Sequence, residues 1–184
     1  MSVIETIRDL DPVPAGTAIR VMEERDASRV ISLCYNEFLR TYPNPELGIT
    51  SADVSDYFIS DTADWDEVDD LHTYVAVTEG EVVGCCSRGC RGDMQEILSL
   101  FVDAKKQERG IGSALLGWAI GELRPEYSIA VDVVAYNAKA IRVYERFGFL
   151  HADAEPYEPA LLTRGREIPQ IRMVRQPTIP GPVH

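Results

Sequence analysis

The stretch EILSLFVDAKKQERGIGSALLGWAIGEL, residues 96–123, changes character in its middle. It opens inside MQEILSLFV, residues 94–102, which is apolar on both faces and reads as a strand buried on two sides. From about Gly110 to Leu123 the pattern becomes helical. Ile111, Leu115, Trp118 and Ala119 form one stripe with Leu116, Ile120 and Leu123 beside it, an apolar surface wide enough to pack on a sheet. Between the two lies QERGIGS, residues 107–113, with glycines at 110 and 112. A helix N-terminus presents unpaired N–H groups and a partial positive charge. A preceding loop that turns its own N–H groups inward completes an anion nest. Glycine lets backbone approach a ligand without a Cβ in the way, Ser113 offers a hydroxyl, and Arg109 and Lys106 add charge. The same glycine pair can serve packing alone at a strand–helix junction. On chemistry alone, a phosphate cradle and a plain corner both stand. The spacings GxxxxGK[ST] and GxGxxG are absent, so neither a Walker loop nor a dinucleotide fingerprint is expected.

Working outward, residues 17–22 read as a short strand. A helix follows, with Asp26 as its cap and Val30, Leu33, Cys34 and Phe38 at helical spacing, ended by Pro43 and Pro45. Thr50 or Ser51 caps a second helix through Val54, Tyr57 and Phe58. Residues 71–78 and 81–88 form a hairpin about Glu79–Gly80, and 94–102 completes a three-stranded meander. After the helix from Gly110, stopped by Pro125, residues 127–135 read as a strand. Asn137 caps a helix whose inner face is Ala140, Ile141, Tyr144 and Phe147, and Gly148 ends it. Strands begin at Phe149 and run over 168–175. This is an α/β fold with a mixed sheet, and 94–134 is a strand–helix–strand crossover. The expected organisation is an N-terminal arm over 1–16, one domain over 17–175, and a loose proline-rich tail over 176–184.

The chain of 184 residues, 45% hydrophobic, suits one soluble domain. No basic and apolar leader opens it and no apolar run reaches bilayer length, so a cytoplasmic protein with no membrane partner is expected. The formal net charge of −12 makes nucleic acid a poor partner. It favours a cationic substrate such as an amine, or serves solubility only. The acidic run DTADWDEVDD, residues 61–70, is either a solvated face or a substrate-facing rim. Cys34, Cys85, Cys86 and Cys90 have no CxxC spacing, so they read as small apolar fillers and no metal is expected. His72 and His151 have no partner pattern and read as structural or surface groups.

Gln107-Glu108-Arg109-Gly110-Ile111-Gly112 resembles the acyl-CoA loop of the GNAT superfamily of acetyl-CoA-dependent N-acetyltransferases, whose pattern is Gln/Arg-x-x-Gly-x-Gly/Ala. Asn137, Ala140, Tyr144 and Gly148-Phe149 resemble the family's second signature, Asn-x-x-Ala-x-x-x-Tyr-x-x-x-Gly-Phe. Residues 19–33 are similar to its first strand and helix, and the likeness covers roughly 17–175. Glu108 departs from the pattern, since many members have Gly there, and an acid beside a pyrophosphate is unhelpful unless it points away. The resemblance implies a GNAT-like fold of about seven strands and four helices, with acetyl-CoA as co-substrate. It assigns the loop 107–113, Ser113 and Asn137 included, and the exposed backbone of Leu100, Phe101 and Val102 to the cofactor.

It implies direct acetyl transfer to an amine in a ternary complex. Tyr144 would protonate the departing thiolate, Glu96 would be the general base, and a backbone N–H of the same strand would meet the oxyanion. The structural alternatives are that Tyr144 fills an apolar face and that Glu96 makes a strand contact. The expected acceptor is a small cationic amine, with a peptide N-terminus or protein lysine as the alternative. A non-catalytic acyl-CoA-binding module is the alternative from another class. Oligomeric state, a homodimer included, is left open.

Overall fold

The computed structural model describes residues 13, 15–61, 68–92, 94–152, 160–161 and 165–179. The arm up to residue 12, the acidic segment 62–67 with Trp65, most of the 151–167 loop and the last five residues therefore lie outside the described residues.

Seven strands form one mixed sheet. They are β1 (Thr17–Val21), β2 (Asp69–Thr78), β3 (Glu81–Arg91), β4 (Met94–Val102), β5 (Ile129–Val134), β6 (Leu150–His151) and β9 (Gln170–Arg175), in the order β1-β2-β3-β4-β5-β9-β6. A separate pair joins β7 (Ala160–Leu161) to β8 (Glu167–Ile168). The expected last strand, 168–175, is thus two pieces divided at Pro169, which has no N–H to give to a ladder. Among the described residues four α-helices flank the sheet: α1 (Ala27–Thr41), α2 (Ser51–Asp61), α3 (Ile111–Gly121) and α4 (Ala138–Arg146). The β2–β3 turn has Glu79 at φ 54° and Gly80 at φ 83°, the conformation that matches hairpin twist.

Among the described strands only β4 and β5 run parallel, and their pairing is short. It joins Gln95, Glu96 and Ile97 to Ile129, Ala130 and Val131 and then stops. On its other edge β4 pairs Ile97 with Arg88 and Ser99 with Ser87, so Leu98 is an unopposed bulge residue. A bulge bends its strand and sharpens the twist, and the two strands part at this point. Beyond it, Ser99 to Val102 stay bonded to β3, and Asp132 to Val134 stay bonded to β9. Each strand keeps its outer partner and loses its inner one.

Helices on the two sheet faces build the core. Leu115, Leu116, Ala119 and Ile120 of α3 pack with Tyr74, Cys86, Ile97, Tyr144 and Phe149. On the opposite face Val30 and Leu33 of α1 meet Val75, Val82 and Cys85. Adjacent Cys85 and Cys86 thus enter different layers, as strand alternation requires. The four cysteines are free thiols.

Three expectations change. Trp118 is 47% exposed rather than part of the packed stripe of α3, which turns its buried face through Leu115, Leu116 and Ala119. That helix closes at Gly121, short of Leu123. Asp26 makes no side-chain cap on α1; its carboxylate accepts from the Glu23 N–H and pairs with Arg20. The Thr178 N–H donates to Pro125 O at 2.9 Å. The α2 cap is Thr50, whose Oγ1 accepts from Asp53 N–H while Asp53 Oδ2 accepts from Thr50 N–H, a reciprocal capping box.

The two loop glycines have different constraints. Gly110 sits at φ 80° as the N-cap of α3, where a Cβ is strained. At Gly112 a Cβ would touch only Val102 Cγ2, at an ordinary 3.5 Å. Gly110→Ala is therefore expected to destabilise the protein by about 1–2 kcal/mol, and Gly112→Ala to stabilise it by up to about 1 kcal/mol through helix propensity. Urea unfolding of both variants checks this, and shifts of the same sign would refute the distinction.

Candidate active site

The gap between β4 and β5 opens into a cavity of about 1190 Å³. Leu98 to Val102 line one wall and Val131 to Val134 the other. The backbone groups on these facing edges have no sheet partner across the gap, which leaves them available to a ligand or water. The N-terminus of α3 closes one end with Gly110, Ile111, Gly112 and Ser113 on the wall. The first-turn N–H groups of that helix have no intrahelical acceptor. Strand edge and helix terminus together form a donor set suited to an extended ligand with amide groups at one end and an anion at the other.

The structure brings together on this wall Glu96, Leu100, Phe101, Val102, Gln107, Glu108, Gly110, Ile111, Gly112, Ser113, Asn137 and Tyr144. Arg109 is exposed and is not part of the wall. Lys106 is also directed elsewhere, lying 3.7 Å from Glu79. The cation beside the loop is instead Lys139, whose Nζ donates to Gln107 Oε1 and Glu108 Oε1, each at 3.1 Å. Glu108 adopts φ 64°, a left-handed conformation in which glycine is at ease, and its exposed carboxylate is turned to Lys139. Asn137 caps α4, its Oδ1 accepting from Ala140 N–H at 3.1 Å.

The side chain of Gln107 is drawn into the protein. Its Nε2 donates to Val102 O at 2.8 Å and to Glu37 Oε2 at 3.1 Å. Glu37, on α1, is a buried carboxylate that also accepts from the Ala104 N–H at 3.0 Å and from Arg40. Sequence reading missed it. A polar residue at position 37 shares the helical face of Leu33 and Phe38, and that conflict with amphipathicity was the available signal.

Tyr144 is buried against Phe149, with ring centroids 5.6 Å apart in an edge contact. Burial, with the Cys86 thiol and Tyr42 nearby, holds its phenol far above the usual tyrosine range, so it stays protonated. Glu96 is 6% exposed. Its carboxyl is raised above the usual carboxylate value by burial; Arg172 and Arg91 oppose the shift and Asp132 reinforces it. Arg91 Nε lies 3.1 Å from Glu96 Oε2 and Arg172 Nη2 3.5 Å from Oε1. Arg172 also clamps Asp132 through two bonds of 2.9 and 2.8 Å.

The far end of the cavity is aromatic. Phe38 stacks on Tyr42 at 3.9 Å and meets Phe58 at 5.2 Å and Phe101 at 5.8 Å between ring centroids. No group of His, Cys, Asp and Glu among the described residues could hold a metal. His72 and His151 are half-exposed or exposed and stand off the cavity wall. No helix among the described residues is long and apolar enough to cross a membrane.

This architecture is shared with known proteins. YncA of Salmonella typhimurium, solved with acetyl-CoA, superposes with a TM-score of 0.66 at 20% identity, covering 92% of this chain and 99% of its own. The ribosomal-protein-S18-alanine N-acetyltransferase of Escherichia coli gives 0.60 at 24% identity, covering 90% and 96%. The PaiA N-acetyltransferase of Thermoplasma acidophilum, solved with coenzyme A, gives 0.62 at 14% identity, covering 87% and 98%. At these identities the likeness establishes the fold. The sequence profile of the acetyltransferase (GNAT) family matches residues 18–149, from β1 through α4 and both signatures, and on that match the chain belongs to this family.

Proposed function

We propose that the protein transfers an acetyl group from acetyl-CoA to a primary amine in a ternary complex. The observation that carries this reading is the meeting of an unpaired β4 edge with the N-terminus of α3 in one cavity. The backbone of Leu100, Phe101 and Val102 pairs with the pantetheine amides, and the N–H groups from Glu108 to Ser113 hold the pyrophosphate. Asn137 and Lys139 flank that end. The bound co-substrate supplies an activated thioester acetyl. Tyr144 is the group placed to donate its proton to the departing sulfur; burial keeps that proton in place before the step but also makes the phenol a weaker acid, so the shift itself gives the transfer no driving force. Glu96 takes the proton of the acceptor ammonium, directly or through water, and burial moves its carboxyl toward the pH where a base of this kind works.

The acceptor is approached from the aromatic end of the cavity, walled by Phe38, Tyr42, Tyr57 and Phe58. A small cationic amine is supported by the net charge of the chain and by its acidic run over 61–70, of which 62–67 lie outside the described residues. The described wall itself carries Arg40, Arg91, Lys139, Arg146 and Arg172 against Glu37, Glu96, Glu108 and Asp132, so it is not an acidic funnel. A neighbour of the same fold is an alanine N-acetyltransferase of a ribosomal protein. Peptides with a free N-terminal alanine and lysine-containing peptides therefore belong in the acceptor panel beside small amines.

Coenzyme A at about 100 times its Kd is expected to stabilise the fold by roughly 2.7 kcal/mol, seen as a raised Tm. No shift at any concentration would remove the acetyl-CoA reading. In a thiol-release assay Tyr144→Phe should lower kcat on the order of 10²-fold; an unchanged kcat excludes the acid role. For Glu96, kcat/KM should rise with pH as the carboxyl ionises, with a midpoint above the ordinary value of ~4.3. Arg172→Gln removes a cation that favours the ionised form, so the midpoint should move to higher pH. Glu96→Gln should abolish this limb, and a limb that persists unchanged rules out the base.

A further inference from the structure

We infer that Glu37 is a positioning residue that sets the cofactor loop and fastens it to the acceptor wall of the cavity. The inference rests on the acetyl-CoA reading above. A carboxylate buried beneath a loop that is to hold a pyrophosphate is electrostatically adverse, because like charges repel more strongly where water is excluded. Its presence calls for a compensating role, and the geometry supplies one. Glu37 is 7% exposed and stands on α1, yet its partners come from the loop 67 and 70 residues further along. Oε1 accepts from the Ala104 N–H at 3.0 Å, fixing the first residue of the turn that leaves β4. Oε2 accepts from Gln107 Nε2 at 3.1 Å and from Arg40 Nε and Nη2 at 2.9 and 2.6 Å. Arg40 offsets the charge, so the carboxylate acts as a hydrogen-bond post rather than a bare anion.

Gln107 transmits the constraint. Its Nε2 is shared between Glu37 and Val102 O, and its Oε1 accepts from Lys139. The side-chain amide is thereby engaged at both ends within the protein, and the loop presents its backbone to the cavity. The chain of contacts runs Arg40–Glu37–Gln107–Lys139–Glu108, from α1 across the loop to the first turn of α4. Phe38, Thr41 and Tyr42, beside and one turn beyond Glu37, line the acceptor end. One buried side chain thus ties the helix that faces the acceptor to the loop that faces the anion.

The test separates positioning from bulk stability. In Glu37→Ala the loop loses its post, so the Kd of coenzyme A by calorimetry and the KM of acetyl-CoA should each rise about 10-fold or more, about 1.4 kcal/mol per tenfold. Saturating acetyl-CoA should restore kcat to within about threefold, because Glu37 touches no reacting atom. Glu37→Gln keeps an acceptor oxygen and should give an intermediate rise, which also covers failure of the alanine variant to fold. Arg20→Ala breaks the Asp26 pair at the other end of α1 and should lower Tm with an unchanged Kd. In the Glu37→Ala/Gln107→Ala double variant the rise in Kd should fall short of the product of the single effects, because the two side chains share the Glu37–Gln107 contact. A wild-type Kd in both Glu37 variants, or single effects that multiply, would overturn the inference. Absence of coenzyme A binding by the wild-type protein would remove the acetyl-CoA reading and this inference together, whereas normal wild-type binding with unaffected variants overturns this inference alone.

Discussion

The organisation of the molecule follows from the parting of β4 and β5 after a three-residue parallel contact. A strand inside a sheet normally has both edges satisfied, and an unpaired backbone group shielded from water is costly. Here each strand is held on its outer edge, β4 by β3 and β5 by β9, so the inner edges can diverge without either strand dissolving. The bulge at Leu98 supplies the bend, and the core of α3 against Ile97, Cys86 and Tyr74 holds the narrow end closed. The cavity is therefore a property of strand pairing more than of side-chain size. Side chains refine it; the ladder creates it.

On the acetyl-CoA reading proposed above, anion binding in so acidic a protein would have to be local. The formal charge of −12 repels a phosphate at a distance, so capture would depend on short-range groups: helix-terminal N–H donors, a loop with left-handed residues at Glu108 and Gly110, and the ammonium of Lys139. Glu108 fits this scheme because its carboxylate is neutralised by Lys139 and exposed to water. Two acids near the loop, Glu37 and Glu108, are each matched to a cation and to hydrogen-bond donors, so neither stands as a bare charge beside the anion site.

The fold was readable in the sequence where the signals are local. Alternation in 71–78, the turn at Glu79–Gly80, the doubly apolar run 94–102, the glycines before α3 and the Asn137 cap each state their own geometry over a few residues. The candidate site was readable for the same reason, since its loop and Tyr144 lie in contiguous motifs. What stayed hidden depends on long-range partners. Glu37 reads as an ordinary helical polar residue until Ala104 and Gln107 arrive in space. Asp26 reads as a cap until Arg20 claims it. Lys139 lies outside the loop motif and could not displace Arg109 and Lys106 as the expected cation. The bulge at Leu98 has no glycine or proline to announce it, because it is set by the mismatch of register between two strands. Trp118 followed the helical period correctly, but the period gives a stripe without saying how wide the opposing sheet will be.

On the proposed chemistry, one physical cause serves two opposite needs. Burial raises the pKa of Tyr144 and of Glu96 alike, because it penalises the phenolate and the carboxylate in the same way. For a tyrosine whose ordinary value is near 10, a rise keeps the proton in place before the reaction and at the same time makes the phenol a weaker acid toward the departing thiolate. For a glutamate whose ordinary value is near 4, a rise brings the group toward neutrality, where it can accept a proton and release it again. The two differ in how far the shift is allowed to go. Tyr144 is surrounded by Cys86, Tyr42 and Phe149, with no cation among the groups shifting it. Glu96 stands between Arg91 and Arg172, which oppose burial and leave it ionisable. The arginines beside Glu96, and the absence of a cation among the groups shifting Tyr144, are what distinguish the two buried groups electrostatically.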